Sequence, residues 1–244
     1  MWVWPTAIGL SIAGSVGGLA TASLLLLFRQ DVRTRVVPWL VSYAVGTLLG
    51  AALLSLVPQA LETLPPSRAF AALLLGILTF FILEKLVLWR HCHDDGACEI
   101  HGSTATLVII GDAVHTFVDG VVIAAAALVS LPLGATTALA VAAHEIPQEA
   151  GDFAILLAAG KSRLQAVMLN LSSALGGVVG AALMLTFGSN TPGLVPYVLA
   201  FAAGNFLYVA MADLIPSLHR GNLDRNSPRQ VILIVMGVAT IAML

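Results

Sequence analysis

Eight apolar runs follow one another along the chain, near residues 5–27, 37–58, 69–89, 104–130, 133–158, 164–187, 195–217 and 229–244. A membrane-spanning helix needs about 20 predominantly apolar residues, and each run reaches or approaches that length, the last only barely. The connecting segments are short and leave no room for a separate soluble domain. Of the 244 residues 59% are hydrophobic and only 10% are charged, against roughly 25% charged in soluble domains. One core cannot bury that excess, so a water-soluble globule is excluded. The net charge of −2 offers no basic surface for nucleic acid. Cys92 and Cys98 make no disulfide framework. The first run lacks the basic flank of a signal peptide and reads as a retained helix. The expectation is an all-α polytopic membrane protein, with residues 1–244 forming one transmembrane domain.

Lysine and arginine orient the spans, because loops rich in them stay on the cytoplasmic side. Arg29, Arg33 and Arg35 follow the first run, and Lys85 and Arg90 close the third. Lys161 and Arg163 follow the fifth, and Arg220, Arg225 and Arg229 precede the eighth. Ten of the eleven basic residues thus fall on one side, with Arg68 opposite. Eight spans with both termini outside is the topology that produces this sorting. It places segment 90–104 in the cytoplasm, where His91, Cys92, His93, Cys98 and His101 could bind a metal weakly or form a solvated loop with no fixed geometry.

Polar residues interrupt two of the runs. The fourth holds Asp112, His115, Thr116 and Asp119; the fifth holds His144, Glu145, Gln148, Glu149 and Asp152. An ionised carboxylate at bilayer depth costs roughly 2.5–3.5 kcal/mol even on insertion scales, so five of them require compensation. At about 100° per residue the fourth-run set spans roughly a 100° arc and the fifth-run set roughly 140°, so both faces can turn away from lipid. The turn Ser130-Leu131-Pro132-Leu133 is short, and counting outward from it brings His115–Asp119 and His144–Gln148 to one depth near the midplane. Pro147 removes the hydrogen bond to the Ala143 carbonyl and loosens the helix there.

Two imidazoles and several carboxylates at one depth suit a divalent transition metal such as Zn²⁺, Fe²⁺, Mn²⁺ or Cd²⁺ better than Ca²⁺ or Mg²⁺, which take oxygen alone. The competing readings are a metal-free hydrogen-bond network between helices, a proton relay, and an intramembrane metallohydrolase. The last needs His-Glu-x-x-His on one rigid helix. Here the run is His144-Glu145-Ile146-Pro147-Gln148, so the second histidine is absent and proline interrupts the pair. A metal pathway, not an enzyme, is the reading taken. A fainter signal is internal: Leu54-Ser55-Leu56-Val57-Pro58 and Ala212-Asp213-Leu214-Ile215-Pro216 echo one another at the ends of the second and seventh runs, as an inverted repeat requires.

Two motifs carry a resemblance to a known family. His115-Thr116-Phe117-Val118-Asp119-Gly120 is similar to the signature His-Asn-x-x-Asp/Glu-Gly, and His144-Glu145-Ile146-Pro147-Gln148-Glu149-Ala150-Gly151-Asp152 to His-Glu-x-Pro-His-Glu-x-Gly-Asp. Both belong to the ZIP metal transporters, and the likeness extends over nearly the whole chain, including Asn170 with Ser173, and Phe206 through Asp213 and Pro216. The resemblance implies eight helices in a 3+2+3 arrangement and metal import toward the cytosol. It implies a main site of His115, Asp119, His144 and Gln148, and a second of Thr116 and Glu145 with Asp119 shared. Asp112, Glu149, Asp152, Asn170, Asp213 and Ser55 would line the pathway or support the site.

The sequence departs from the family pattern at Thr116, at Gln148, at Ala51 and Ser55, and at Ser217. A weaker second site is the expectation. The chain is therefore read as a multi-pass carrier of the cell membrane, plasma or inner, whose cargo is zinc first and Fe²⁺, Mn²⁺ or Cd²⁺ otherwise. Its alternative is a proton-coupled or channel-like metal conductor. The expected partners are the divalent ion and the lipid bilayer, with a homodimer as an option and no nucleic acid.

Overall fold

The computed structural model describes residues 2–25, 27–89, 103–219 and 223–244. These residues form eight helical rods and no strand: α1 (Val3–Leu25), α2 (30–61), α3 (Pro66–Trp89), α4 (Ser103–Val129), α5 (Leu131–Ala158), α6 (Arg163–Asn190), α7 (Pro192–His219) and α8 (Leu223–Met243). Lipid cannot hydrogen-bond the backbone, so a chain this apolar satisfies its amides within each rod. Six rods (α1, α2, α3, α4, α6 and α7) are long and apolar enough to cross a membrane. The chain is an all-helical, multi-pass membrane protein. α5 misses that measure, and its run carries His144, Glu145, Gln148, Glu149 and Asp152 among apolar residues; the apolar part of α8, Pro228–Met243, is shorter. The residues His91, Cys92, His93, Cys98 and His101, expected to bind metal weakly, lie outside the described residues.

Local chemistry ends the rods where it should. Ser130 caps α5 by accepting from the Leu133 amide at 3.2 Å, and Pro132 in the first turn needs no amide partner. The α4–α5 connection therefore shrinks to one residue. α5 stops at Gly160, whose φ of +79° only glycine adopts cheaply; Gly160 and Lys161 donate back to Leu157 and Leu156. Ser162 and Gln165 then open α6 with a reciprocal capping box.

Two rods share an irregularity. α2 passes through a six-residue π-helical segment, Ala51–Leu56, and α7 through another, Val209–Leu214. Each ends two residues before a proline, Pro58 or Pro216. The π segments fall on the two stretches whose sequences echo one another.

Packing divides the rods into pairs: α4 lies along α6, α2 along α8, α3 along α7 and α1 along α5, while α4 and α5 meet each other in the middle. Small residues allow the approach. A Cβ on Gly120 would sit 1.8 Å from the Gly177 carbonyl oxygen, and one on Gly180 would sit 2.1 Å from that of Phe117. Gly46 and Gly204 play matching parts, their hypothetical Cβ atoms falling 2.1 Å and 2.0 Å from the carbonyls of Ile234 and Leu73. Gly17 has open space around it and belongs to no such contact. Without a hydrophobic drive between helices in lipid, this close fit supplies much of the association energy.

The candidate metal centre

On α4 and α5 the polar positions recur every three or four residues, which places them on one stripe of each rod. Lipid would leave them unsolvated, so the stripes turn toward each other and toward α6. Asp112, His115, Thr116, Asp119, His144, Glu145 and Glu149 are all buried, Asp119 completely.

The two imidazoles meet edge to face, their Nε2 atoms 3.1 Å apart. Asp119 Oδ2 lies 3.1 Å from His144 Nε2 and 3.5 Å from His115 Nε2. On its other side His144 places Nδ1 3.0 Å from the Ala140 carbonyl. A carbonyl can only accept, so Nδ1 carries a proton, and that hydrogen bond fixes the ring with Nε2 toward the centre. Fixing a ring through its second nitrogen in this way is what metal-ligating histidines do. Glu145 completes the group: one atom from each of His115, Asp119, His144 and Glu145 lies within 4.8 Å of the others. Both oxygens of Glu145 and Oδ1 of Asp119 have no hydrogen-bond partner among the described residues, while Asp119 Oδ2 faces the two ring nitrogens. Two ring nitrogens and two carboxylates are thus gathered in one buried space, a donor set that a divalent transition metal takes. A cation is what makes such an arrangement favourable.

A second group adjoins the first. Asp112, Glu145 and Glu149 also bring oxygens within 4.8 Å of one another, so Glu145 is common to both groups. This group differs in membership from the second site that the resemblance implied, which was Thr116 and Glu145 with Asp119 shared; Glu145 belongs to both descriptions. Ser173 of α6 donates to Asp112 Oδ2, and Gln148 directs its amide nitrogen at Asp112 Oδ1, 3.4 Å away. Thr116 gives its hydroxyl proton to its own helix, at the Asp112 carbonyl, 2.9 Å away. Asn170 is buried beside Glu149. Asp152 is half-buried and joins neither group. Ser55 and Asp213 also stand outside them, Ser55 on the π segment of α2 and Asp213 on that of α7.

Some contributors carry no polar signal in the sequence. Phe80 and Phe206 set ring edges against His115 and His144, at centroid separations of 5.7 and 5.9 Å. In an apolar run either phenylalanine reads as lipid-facing. Gly18 of α1 backs onto Glu145, where a Cβ would fall 2.6 Å from the glutamate Cβ. Ser173 had one legible sign, its position one turn after Asn170 on the same helix.

A family model described as the ZIP zinc transporter matches residues 90–244, the part of the chain that contains both groups. The chain belongs to the ZIP family. Zinc transporter ZIP13 of Pongo abelii is 34% identical over 219 residues, which are 84% of this chain and 65% of that protein. Zinc transporter ZIP13 of Mus musculus is 32% identical over 248 residues, with 84% and 69% covered. Zinc transporter YKE4 of Saccharomyces cerevisiae is 29% identical over 254 residues, with 89% and 73% covered. Other relatives are much longer, and the match covers only 15% of zinc transporter ZIP10 of Danio rerio. ZIP relatives are named as transporters, which places the chain outside the metallohydrolases.

Proposed function

We propose that the chain moves a divalent transition metal, zinc first, across the cell membrane into the cytosol. The observation that carries this reading is the convergence of two imidazole Nε2 atoms, 3.1 Å apart, on the buried carboxylates of Asp119 and Glu145. Mixed nitrogen and oxygen donors suit zinc and its neighbours, and the relatives' names agree. His115, Asp119, His144 and Glu145 would hold the ion, with Gln148 and Thr116 beside it. Asp112, Glu145 and Glu149 would offer a second, oxygen-only position. Asp152, Asn170, Asp213 and Ser55 would line the route.

The direction rests on the basic residues, which would keep the ends of α1, α3, α5 and α7 in the cytoplasm and both termini outside. On that orientation Asp112, Glu149 and Asp152 lie on the cytoplasmic side of the histidines, and the buried apolar Val122–Ala127 lies on the outer side. The matched π segments, matched glycines and matched packing pairs support an inverted repeat of α1–α3 and α6–α8 around α4 and α5. A carrier with such a repeat rocks one helix group against another about a midplane site. The groups would be α2, α3, α7 and α8 against α1, α4, α5 and α6.

Reconstitution tests the proposal. Proteoliposomes should take up Zn²⁺ saturably, and His115→Ala and His144→Ala should each lose most of that uptake while still folding. Uptake that never saturates would replace the carrier by a channel. Normal uptake by either variant would remove that histidine from the site, and peptide cleavage without uptake would return the hydrolase.

A further inference from the structure

Between α4 and the α3–α7 pair lies a feature that takes no part in holding the ion. α3, α4 and α7 enclose a cavity of about 400 Å³. Ala72 and Leu75 of α3, Phe117 and Val121 of α4, and Tyr197 and Phe201 of α7 line it. On α4, Phe117 and Val121 project from the side turned away from His115 and Asp119, while Val118 and Val122, which also line the cavity, stand on the flank nearer those residues. Tyr197 alone among the lining residues carries a polar side-chain group, and the walls themselves are almost wholly apolar. Water needs two to four polar partners to remain in a cavity, so this one does not hold water.

The cavity is also not sealed. Leu75 lines it and is 58% exposed, within a stripe of α3 that continues through Phe70, Leu74, Leu78 and Ile82 on the outer surface. In a chain whose surroundings are lipid, that stripe is the lipid interface, and the cavity is a recess in it. The lining residues stand near the start of α3, near the start of α7 and in the later half of α4, so the recess lies toward one end of the bundle and reaches the middle at Phe117. If each methylene takes roughly the ~30 Å³ of a liquid water, the volume holds on the order of a dozen of them. Tyr197, near the helix end, is the kind of residue that sits at headgroup level.

We propose that this recess is a binding site for one acyl chain of a phospholipid from the adjoining leaflet. The chain would fill the gap between α4 and the α3–α7 pair, where helix packing is sparse compared with α4 on α6 or α3 on α7. This inference rests on the membrane location alone and stands whatever ion is carried.

The test is lipid retention by the full chain. Protein purified in detergent, stripped of lipid and then mixed with dioleoylphosphatidylcholine is examined by native mass spectrometry. Wild type should retain one phospholipid at a concentration where Val121→Trp, which fills the recess, retains at least about tenfold less. Leu183→Trp, on the exposed side of α6, should retain as much as wild type. Ala72→Leu gives a smaller obstruction from the opposite wall and should show an intermediate loss, which guards against misfolding of the tryptophan variant. Helical content by circular dichroism should be the same in all four. Equal retention by wild type, Val121→Trp and Ala72→Leu would overturn the proposal, as would no retention by wild type.

Discussion

Gln148 is the residue at which this chain differs most tellingly from the motif it resembles. It stands one turn after His144, and its amide nitrogen points at Asp112 rather than offering a second imidazole to the ion. A neutral amide oxygen is a weaker zinc ligand than imidazole. Gln148→His should therefore tighten zinc binding and sharpen the preference for zinc over manganese, because borderline metals gain most from nitrogen. Maximal uptake should stay equal or fall, since a more stable bound state leaves more slowly. Zinc titration beside uptake in one preparation reads both quantities; unchanged affinity and selectivity would place residue 148 away from the ion. Gly18 makes a second test at this scale. Its missing side chain leaves room for Glu145, and Gly18→Ala would put a methyl 2.6 Å from the glutamate Cβ. Overpacking of this kind costs about 1–3 kcal/mol, and here the strain falls on a candidate ligand. Metal affinity should drop along with thermal stability in detergent. A variant with wild-type affinity would show that Glu145 has slack.

At the scale of the helix, the sequence echo and the structure speak to the same thing. Two π segments interrupt α2 and α7 at corresponding places, and Gly46 and Gly204 sit one rod's surface against another's carbonyl in corresponding ways. Adding a Cβ at either position would collide with backbone, which yields less readily than a flexible side chain. Gly46→Ala and Gly204→Ala should therefore destabilise by similar amounts, at least about 1–3 kcal/mol each. Unfolding of the purified variants, compared at one detergent and lipid composition, measures this. A large effect at one position beside none at the other would break the equivalence of the α2–α8 and α3–α7 pairs.

For the whole molecule the test is topology. Arg229 stacks over Trp39 at 6.0 Å, so the chain leading into α2 and that leading into α8 share one end of the bundle. Both carry several of the basic residues that orient the spans. With Cys92 and Cys98 replaced, single cysteines at Ser67 and Ser189 should react with an impermeant reagent applied outside, and one at Ser162 should not. All three sites are exposed, so access alone decides the outcome. Labelling at Ser162 from outside would reverse the orientation and with it the direction of transport.

Hydropathy and helical period were enough, read from the residues alone, to find eight helices, their short connections and the two polar stripes. These follow from local rules: lipid tolerates only internally bonded backbone, and a 3.6-residue turn sorts side chains by number. The depth of His115 and His144 was countable from the turn at Pro132 for the same reason. What the period cannot supply is the rotation of one rod about its axis relative to its neighbours, because that is settled by contacts between residues far apart in the chain. Tertiary packing therefore decided that Glu145 stands between the two groups, and that Ser173 and Gln148 attend Asp112. It also placed Phe80, Phe206 and Gly18 around the centre, and left a recess behind α4. An apolar residue in an apolar run carries no mark of which neighbour it will meet; only the fit of rod against rod assigns one.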